Sequence, residues 1–342
     1  MKRRINLALQ GGGAHGAFTW GALDRILEED GIEIAAISGT SAGALNGAAL
    51  KAGMAKGGRQ GARDNLDWFW GEISKIDDLS MAHWMTAFWP DSLKRAMRAY
   101  TPAAALDGLT HLFSPYDYGP FYANPLSSLV KNLHFDHICA SGGPELFVSA
   151  TNVRSGKIRV FTKSELSPDV LMASACLPTV FRAIEIATPG TRKTEAYWDG
   201  GYSGNPALFP LFDAALPKDI VIVNINPLRR EALPRSAGEI IDRINEISFN
   251  AALLGELRAI NFVRRLIADN KVAPEAMKEV FVHMIADDAL MNALSAGTKM
   301  LPTPGLLEEL KAAGRAAANR FLRDHGDKVN HQGSVDLEAT YG

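Results

Sequence analysis

Apolar positions in this chain follow two rhythms. Short, mostly apolar runs at 5–10 and 34–38 read as buried strands, and each is followed by helical spacing, at 14–29 and 42–53. Strand, helix, strand, helix at this spacing predicts a parallel sheet covered by helices. Residues 55–65, rich in glycine and charge, read as a polar loop. The pattern then changes over 66–135, which is aromatic, helical in parts and punctuated by Pro90, Pro102, Pro115, Pro120 and Pro125.

Sheet signals return at 146–151 and 157–161, with a hairpin turn from Asn152 to Gly156. Asp169 to Cys176 reads as a short helix stopped by Pro178. Two further strands, 181–187 and 194–198, flank the Thr188-Pro189-Gly190 turn, and 219–225 is an apolar strand. Over 236–267, Ile240, Ile241, Ile244, Ile247, Phe249, Leu253, Leu254 and Leu257 recur at helical spacing and predict a core-facing stripe, with a dimer face as the alternative. A strand at 279–285 and a mostly helical stretch from 287 to 326 follow, and the polar last fifteen residues read as frayed. The expected fold is α/β, a three-layer arrangement of a mostly parallel sheet with helices on both faces and a helical insertion at 66–135.

Composition narrows the class. The chain has 342 residues, 47% of them hydrophobic and 22% charged, as ordinary globular proteins do. A net charge of −2 gives no electrostatic case for a nucleic-acid partner. The N-terminal apolar run is too short for a signal-peptide core. No window holds about 18 uninterrupted apolar residues, so no spanning helix is expected. The expectation is a cytoplasmic protein, with a peripheral membrane contact left open. Cys139 and Cys176 form no CxxC pair and read as small buried residues in a reducing compartment. No acidic cluster has calcium-loop spacing, so neither metal nor cofactor is expected. The sequence leaves the oligomeric state open.

Three segments carry chemistry. In the first, Ile37-Ser38-Gly39-Thr40-Ser41-Ala42-Gly43, a Gly-x-Ser-x-Gly turn lies between an apolar strand and a helix. A serine pinched between Gly39 and Gly43 is exposed at a strained bend, with the positive end of the helix facing it. The plainer reading is a tight turn whose serine caps the helix. The second, Gln10-Gly11-Gly12-Gly13-Ala14-His15-Gly16, also joins a strand to a helix. Its glycines expose N–H groups that could hold an oxyanion if the loop lies beside Ser41. Gly11, Gly13 and Gly16 also spell a dinucleotide fingerprint, with Asp30 or Glu33 near the distance of a ribose-binding acid. Against it, Asp30 precedes the second strand and the second turn is already occupied by Gly39 to Gly43. In the third segment, Trp198-Asp199-Gly200-Gly201, a Gly-Gly turn could aim the Asp199 carboxylate into a cleft, where it could take the Ser41 proton. The plainer reading is an Asx-turn or cap.

In this order the three segments resemble the patatin-like phospholipases. Residues 5–50 match closely, Ala173-Ser174-Ala175-Cys176-Leu177-Pro178-Thr179-Val180-Phe181 resembles the segment preceding that family's Asp motif, and the likeness reaches from residue 5 to 206. It implies a Ser41–Asp199 dyad without a catalytic histidine. Gly11, Gly12, Gly13 and Ala42 would hold the oxyanion, supported by Gly16, Gly39, Gly43, Gly200 and Gly201. The implied activity is hydrolysis of acyl esters, usually of lipids, through an acyl-serine. Residues 1–230 would form the patatin-like catalytic domain, and 231–342 a largely helical extension packed on it. One departure is His15, which stands where the family often carries Arg or Lys.

Two alternatives stay open. One is an esterase with a Ser-Asp-His triad, for which His283, at the end of an apolar strand, is a better candidate than His325 or His331 in or near the polar tail. The other is a weakly active binding or storage protein of the same fold. Trp68, Phe69, Trp70, Trp84, Phe88 and Trp89, followed by Lys94, Arg95 and Arg98, would suit a lipid–water interface, a lid or an acyl-binding wall. The plainer reading is a helical subdomain that packs its aromatics inward. Val170, Leu171, Leu177 and Val180 are candidates for the acyl pocket.

Overall fold

A computed structural model of the chain describes residues 2–76, 114–117, 122–139, 142–273, 276–294 and 296–341. Eight strands form one sheet: β1 (Arg3–Leu9), β2 (Ile32–Thr40), β3 (Glu145–Asn152), β4 (Ile158–Thr162), β5 (Ile184–Ala187), β6 (Thr194–Asp199), β7 (Asp219–Asn224) and β8 (Phe281–Ala286). The order is β5-β6-β3-β2-β1-β7-β8, with β4 paired to β3. Pairings from β3 through β2, β1 and β7 to β8 are parallel, whereas β4, β5 and β6 pair antiparallel.

Alternation along the strands builds two cores. Leu7, Leu9, Val221 and Val223 face helices α1 (Gly16–Leu27) and α2 (Ala42–Ile73) and the Pro304–His325 helix. Ala8, Ile220 and Ile222 face the opposite way, onto Leu253 and Leu257 of the Ala237–Ala268 helix. This is the expected three-layer α/β arrangement. Leu9 of β1 stands opposite Gly39 of β2 and Val223 of β7, so three strands end together at one rim of the sheet. Loops at that rim carry the candidate chemistry, as is general for open parallel sheets.

Several expectations need correction. Residues 55–65 are not a loop, because α2 continues through them with a kink at Gly57 and Gly58, where φ is 61° at Gly58. Arg59, read as loop polarity, donates to the carbonyls of Ile26, Leu27, Glu29 and Ile32 and so anchors the kink to the end of α1. In the Ala237–Ala268 helix, Ile240, Ile241, Ile244 and Ile247 are exposed, while Glu246 and Asn250 face inward with Phe249, Leu253 and Leu257. Glu246 pairs with Arg230 at 2.7 Å and with Arg243 at 3.2 Å, which explains why a carboxylate turns inward there. The tail is not frayed: Val329 and Leu337 are buried, and the Ser334 and Val335 N–H groups donate to the Val282 carbonyl. The first residues of the expected 181–187 strand are not in it, since β5 begins at Ile184 and Phe181 is a buried core residue.

Within the aromatic segment, Phe69 and Trp70 pack inward. They meet edge-on at 5.5 Å, and Trp70 stacks on Trp20 at 6.1 Å. Trp84, Phe88, Trp89, Lys94, Arg95 and Arg98 lie outside the described residues. Among the described residues no helix is long and apolar enough to cross a membrane.

Candidate active site

Ser41 is the single residue between β2 and α2 and adopts φ 53°, ψ −124°. A non-glycine residue held there stores strain, on the order of 1–3 kcal/mol. Tight packing enforces the bend. A Cβ on Gly43 would run into the Leu9 carbonyl, and one on Gly11 would lie 2.6 Å from the Ser41 Cβ. Ser41 donates its backbone N–H to the Ser174 Oγ at 2.9 Å, so the helix ending at Ser174 supports the turn from outside. Gly16, at the start of α1, lies against Ala42, and Asn46 Nδ2 bridges the Gly16 and Ala42 carbonyls at 3.1 and 2.9 Å.

β3 brings Asp199 to this turn. Ser149 pairs with Thr40 of β2 on one edge and with Val160 of β4 on the other. Ala150 pairs with Asp199 of β6 and with Arg159 of β4. Since β4 occupies one edge throughout, β2 and β6 share the other and meet end to end. Gly200 fits against the Ser149 carbonyl, and Gly201 packs under the Phe249 ring while donating its N–H to Asp199 Oδ1 at 2.7 Å. Cys176 accepts the Asp199 backbone N–H at 2.7 Å.

Asp199 is completely buried, and burial raises its pKa from 3.8 to about 7, against the opposing pull of the Gly201 N–H and the Ser41 hydroxyl. The Ser41 hydroxyl lies close enough to favour the carboxylate but outside full hydrogen-bond geometry, which leaves Oδ2 without a hydrogen-bond partner among the described residues. A nucleophile–base contact that is loose without substrate is common. Burial and the Asp199 charge push both the Cys176 thiol and the Tyr202 hydroxyl up to about 12, so neither competes as a base.

The glycine loop divides. Gly11 donates its N–H to Asn205 Oδ1 at 2.6 Å, so that donor is committed. The Gly12, Gly13 and Ala42 N–H groups make no hydrogen bond among the described residues. Gly13 and Ala42 line a cavity with Ser41, and its walls are mostly apolar, from Leu45, Phe69, Trp70, Leu126, Leu177, Phe181 and Met300. Of the four pocket candidates only Leu177 is there; Val170 and Leu171 are fully buried in the core.

His15 is buried, with Nε2 2.8 Å from Thr298 Oγ1, and burial together with the Lys299 charge lowers its pKa to about 3. It is therefore neutral. His283 is committed elsewhere: Nε2 lies 2.9 Å from Asp219 Oδ1 and Nδ1 3.1 Å from Ser334 Oγ. A triad through His283 does not form in this arrangement.

Polar side chains beneath the loop hold it in place. Gln10 Oε1 accepts from the Ile225 and Asn226 N–H groups at 2.8 and 3.0 Å, and Asn226 Nδ2 donates to the Gly11 carbonyl at 2.7 Å. Gln10 and Asn205 adjoin motifs that were singled out, so their positions were a signal. Asn226 and Asn250 stand in no motif.

A family model for patatin-like phospholipases matches residues 7–212, and the chain belongs to that family. A crystal structure of VipD from Legionella pneumophila is similar at 15% identity and a TM-score of 0.42, over 95% of this chain and 67% of that one. No curated protein matches the chain.

Proposed function

We propose that this protein is a serine hydrolase that cleaves lipid acyl esters through a Ser41–Asp199 dyad. Family membership supports lipid acyl hydrolysis in general. The observation that carries the dyad is the partnerless Oδ2 of a buried Asp199 beside the strained Ser41.

In this reading the Asp199 carboxylate takes the Ser41 hydroxyl proton as Oγ bonds to the ester carbonyl carbon. The carbonyl oxygen becomes an oxyanion facing the Gly12, Gly13 and Ala42 N–H groups and the positive end of α2. Collapse breaks the bond to the alcohol or lysolipid oxygen, which leaves with the proton from Asp199. Water then gives a proton to Asp199 and attacks the acyl-serine. The fatty acid departs and Ser41 regains its proton. The apolar cavity would hold the acyl chain.

The test is hydrolysis of a panel of phospholipids, acylglycerols and simple esters, with products identified by mass. Release of fatty acid by the protein and none by Ser41→Ala is expected. Undiminished release by Ser41→Ala, or none by the unaltered protein, would reject the reading.

A further inference from the structure

We propose that Lys299 is a positioning residue for the glycine loop, holding it through Asn226 and placing a partly buried positive charge beside it. This rests on the acyl-hydrolase reading above.

Lys299 lies in the Ala296–Met300 turn, outside the residues matched by the family model. It meets the loop in two ways. Its backbone carbonyl packs onto Gly13, where φ is +58° and a Cβ would collide with it. Nζ donates to Asn226 Oδ1 at 2.9 Å, and Asn226 Nδ2 donates to the Gly11 carbonyl at 2.7 Å. One unbroken chain thus runs from the ammonium to the backbone of the loop. The same turn also brings Thr298 to His15 and Met300 to the apolar cavity.

Charges of both signs surround the ammonium. Lys299 Nζ is 3.8 Å from Glu246 Oε1, but that carboxylate is already held by Arg230 and Arg243. Arg230 and Arg243 share a cleft with Glu239, Asp242 and Glu246, and Asp242 also acts on Lys299. A cation in such a place is costly, and burial lowers the Lys299 pKa. Its field reaches the loop, because the same ammonium is one of the causes that keep His15 neutral. A tether alone would need no charge. A charge beside N–H donors strengthens their hold on an oxyanion, which exists only as the reaction proceeds.

The experiment compares Lys299→Met, Lys299→Gln and Lys299→Arg in the full chain, with Lys271→Met as a surface control. Three quantities are read: kcat, KM, and affinity for a trifluoromethyl ketone, whose serine adduct carries an oxyanion. The expected result is a loss of about 10–100-fold in kcat for Met and Gln, a similar loss in ketone affinity, and KM within about twofold. Lys299→Arg should keep most of the activity, and Lys271→Met all of it. Should Lys299→Met fail to fold, the Gln variant, which can still hydrogen-bond to Asn226, decides. Folded Gln or Met variants with unaltered kcat and ketone affinity overturn the proposal while leaving the Ser41 reading intact. An unaltered protein without ester turnover overturns both.

Discussion

Asp199 ends β6 one register position beyond the point where Thr40 ends β2, along the same edge of β3. Two residues far apart in sequence are therefore fixed side by side by backbone pairing before any side chain is considered. Ser41 follows Thr40 directly, so sheet register sets the relation between the proposed nucleophile and base.

Asp199→Asn separates catalysis from stability. The carboxyl group has a folded pKa of about 7 against 3.8 for the free group, so the native state binds more protons between those values and stability falls as pH rises through that window. The buried charge costs on the order of 4 kcal/mol above pH 7. Thermal melts should show Asp199→Asn more stable than the unaltered protein at pH 8, with the gap closing toward pH 5, while ester turnover falls by about a thousandfold or more. A variant less stable at pH 8 than at pH 5, relative to the unaltered protein, would contradict the burial account.

Gly43→Ala should lose folding stability by more than about 3 kcal/mol, because the added methyl meets the Leu9 carbonyl at the end of a central strand. Gly57→Ala, with open space around its Cβ position, should change stability little. Urea denaturation of the two variants makes the comparison, and equal midpoints would mean that the turn is not tightly packed.

Much of this was legible in the sequence. The central strands are mostly apolar runs, and the glycines of the three motifs mark real close approaches, so fold class and the Ser41 turn could be read directly. The Asp199 placement could be expected only from resemblance, because strand order is not written locally. The polar cluster around Glu246 was illegible for a physical reason. Helical spacing records which residues are apolar but not which face turns inward: Phe249, Leu253 and Leu257 are buried, Glu246 turns in with them, held by Arg230 and Arg243, and Ile244 and Ile247 are left exposed. The polar tail misled too, since a few apolar residues, Val329, Val335 and Leu337, dock it together with backbone bonds to the Val282 carbonyl.

His283 is a staple for that tail. Asp219 Oδ1 accepts from the Asn330 N–H at 3.0 Å and lies 2.9 Å from His283, whose other ring nitrogen faces Ser334. His283→Ala should cost about 2–4 kcal/mol of stability and expose the region after His325 to proteolysis. At a temperature where the variant is folded, kcat should stay within about twofold. A loss of a hundredfold or more with the fold intact would bring back a histidine-dependent triad.

The cavity beside Ser41 predicts selectivity. Leu177→Trp narrows an apolar wall without touching Ser41 or Asp199. Turnover of long-chain esters should fall about tenfold or more relative to butyrate esters. A uniform loss across chain lengths would mean that the acyl chain lies elsewhere.

The pH dependence of Ser41 phosphonylation by a fluorophosphonate tests the dyad most directly, because it needs no knowledge of the natural lipid. The account predicts one label, located on the Ser41 peptide by mass, at a rate rising with pH through a midpoint near 7 as Asp199 ionises, and nearly abolished in Asp199→Asn. Labelling at another residue, or an Asp199→Asn variant labelled as fast as the unaltered protein, would contradict it.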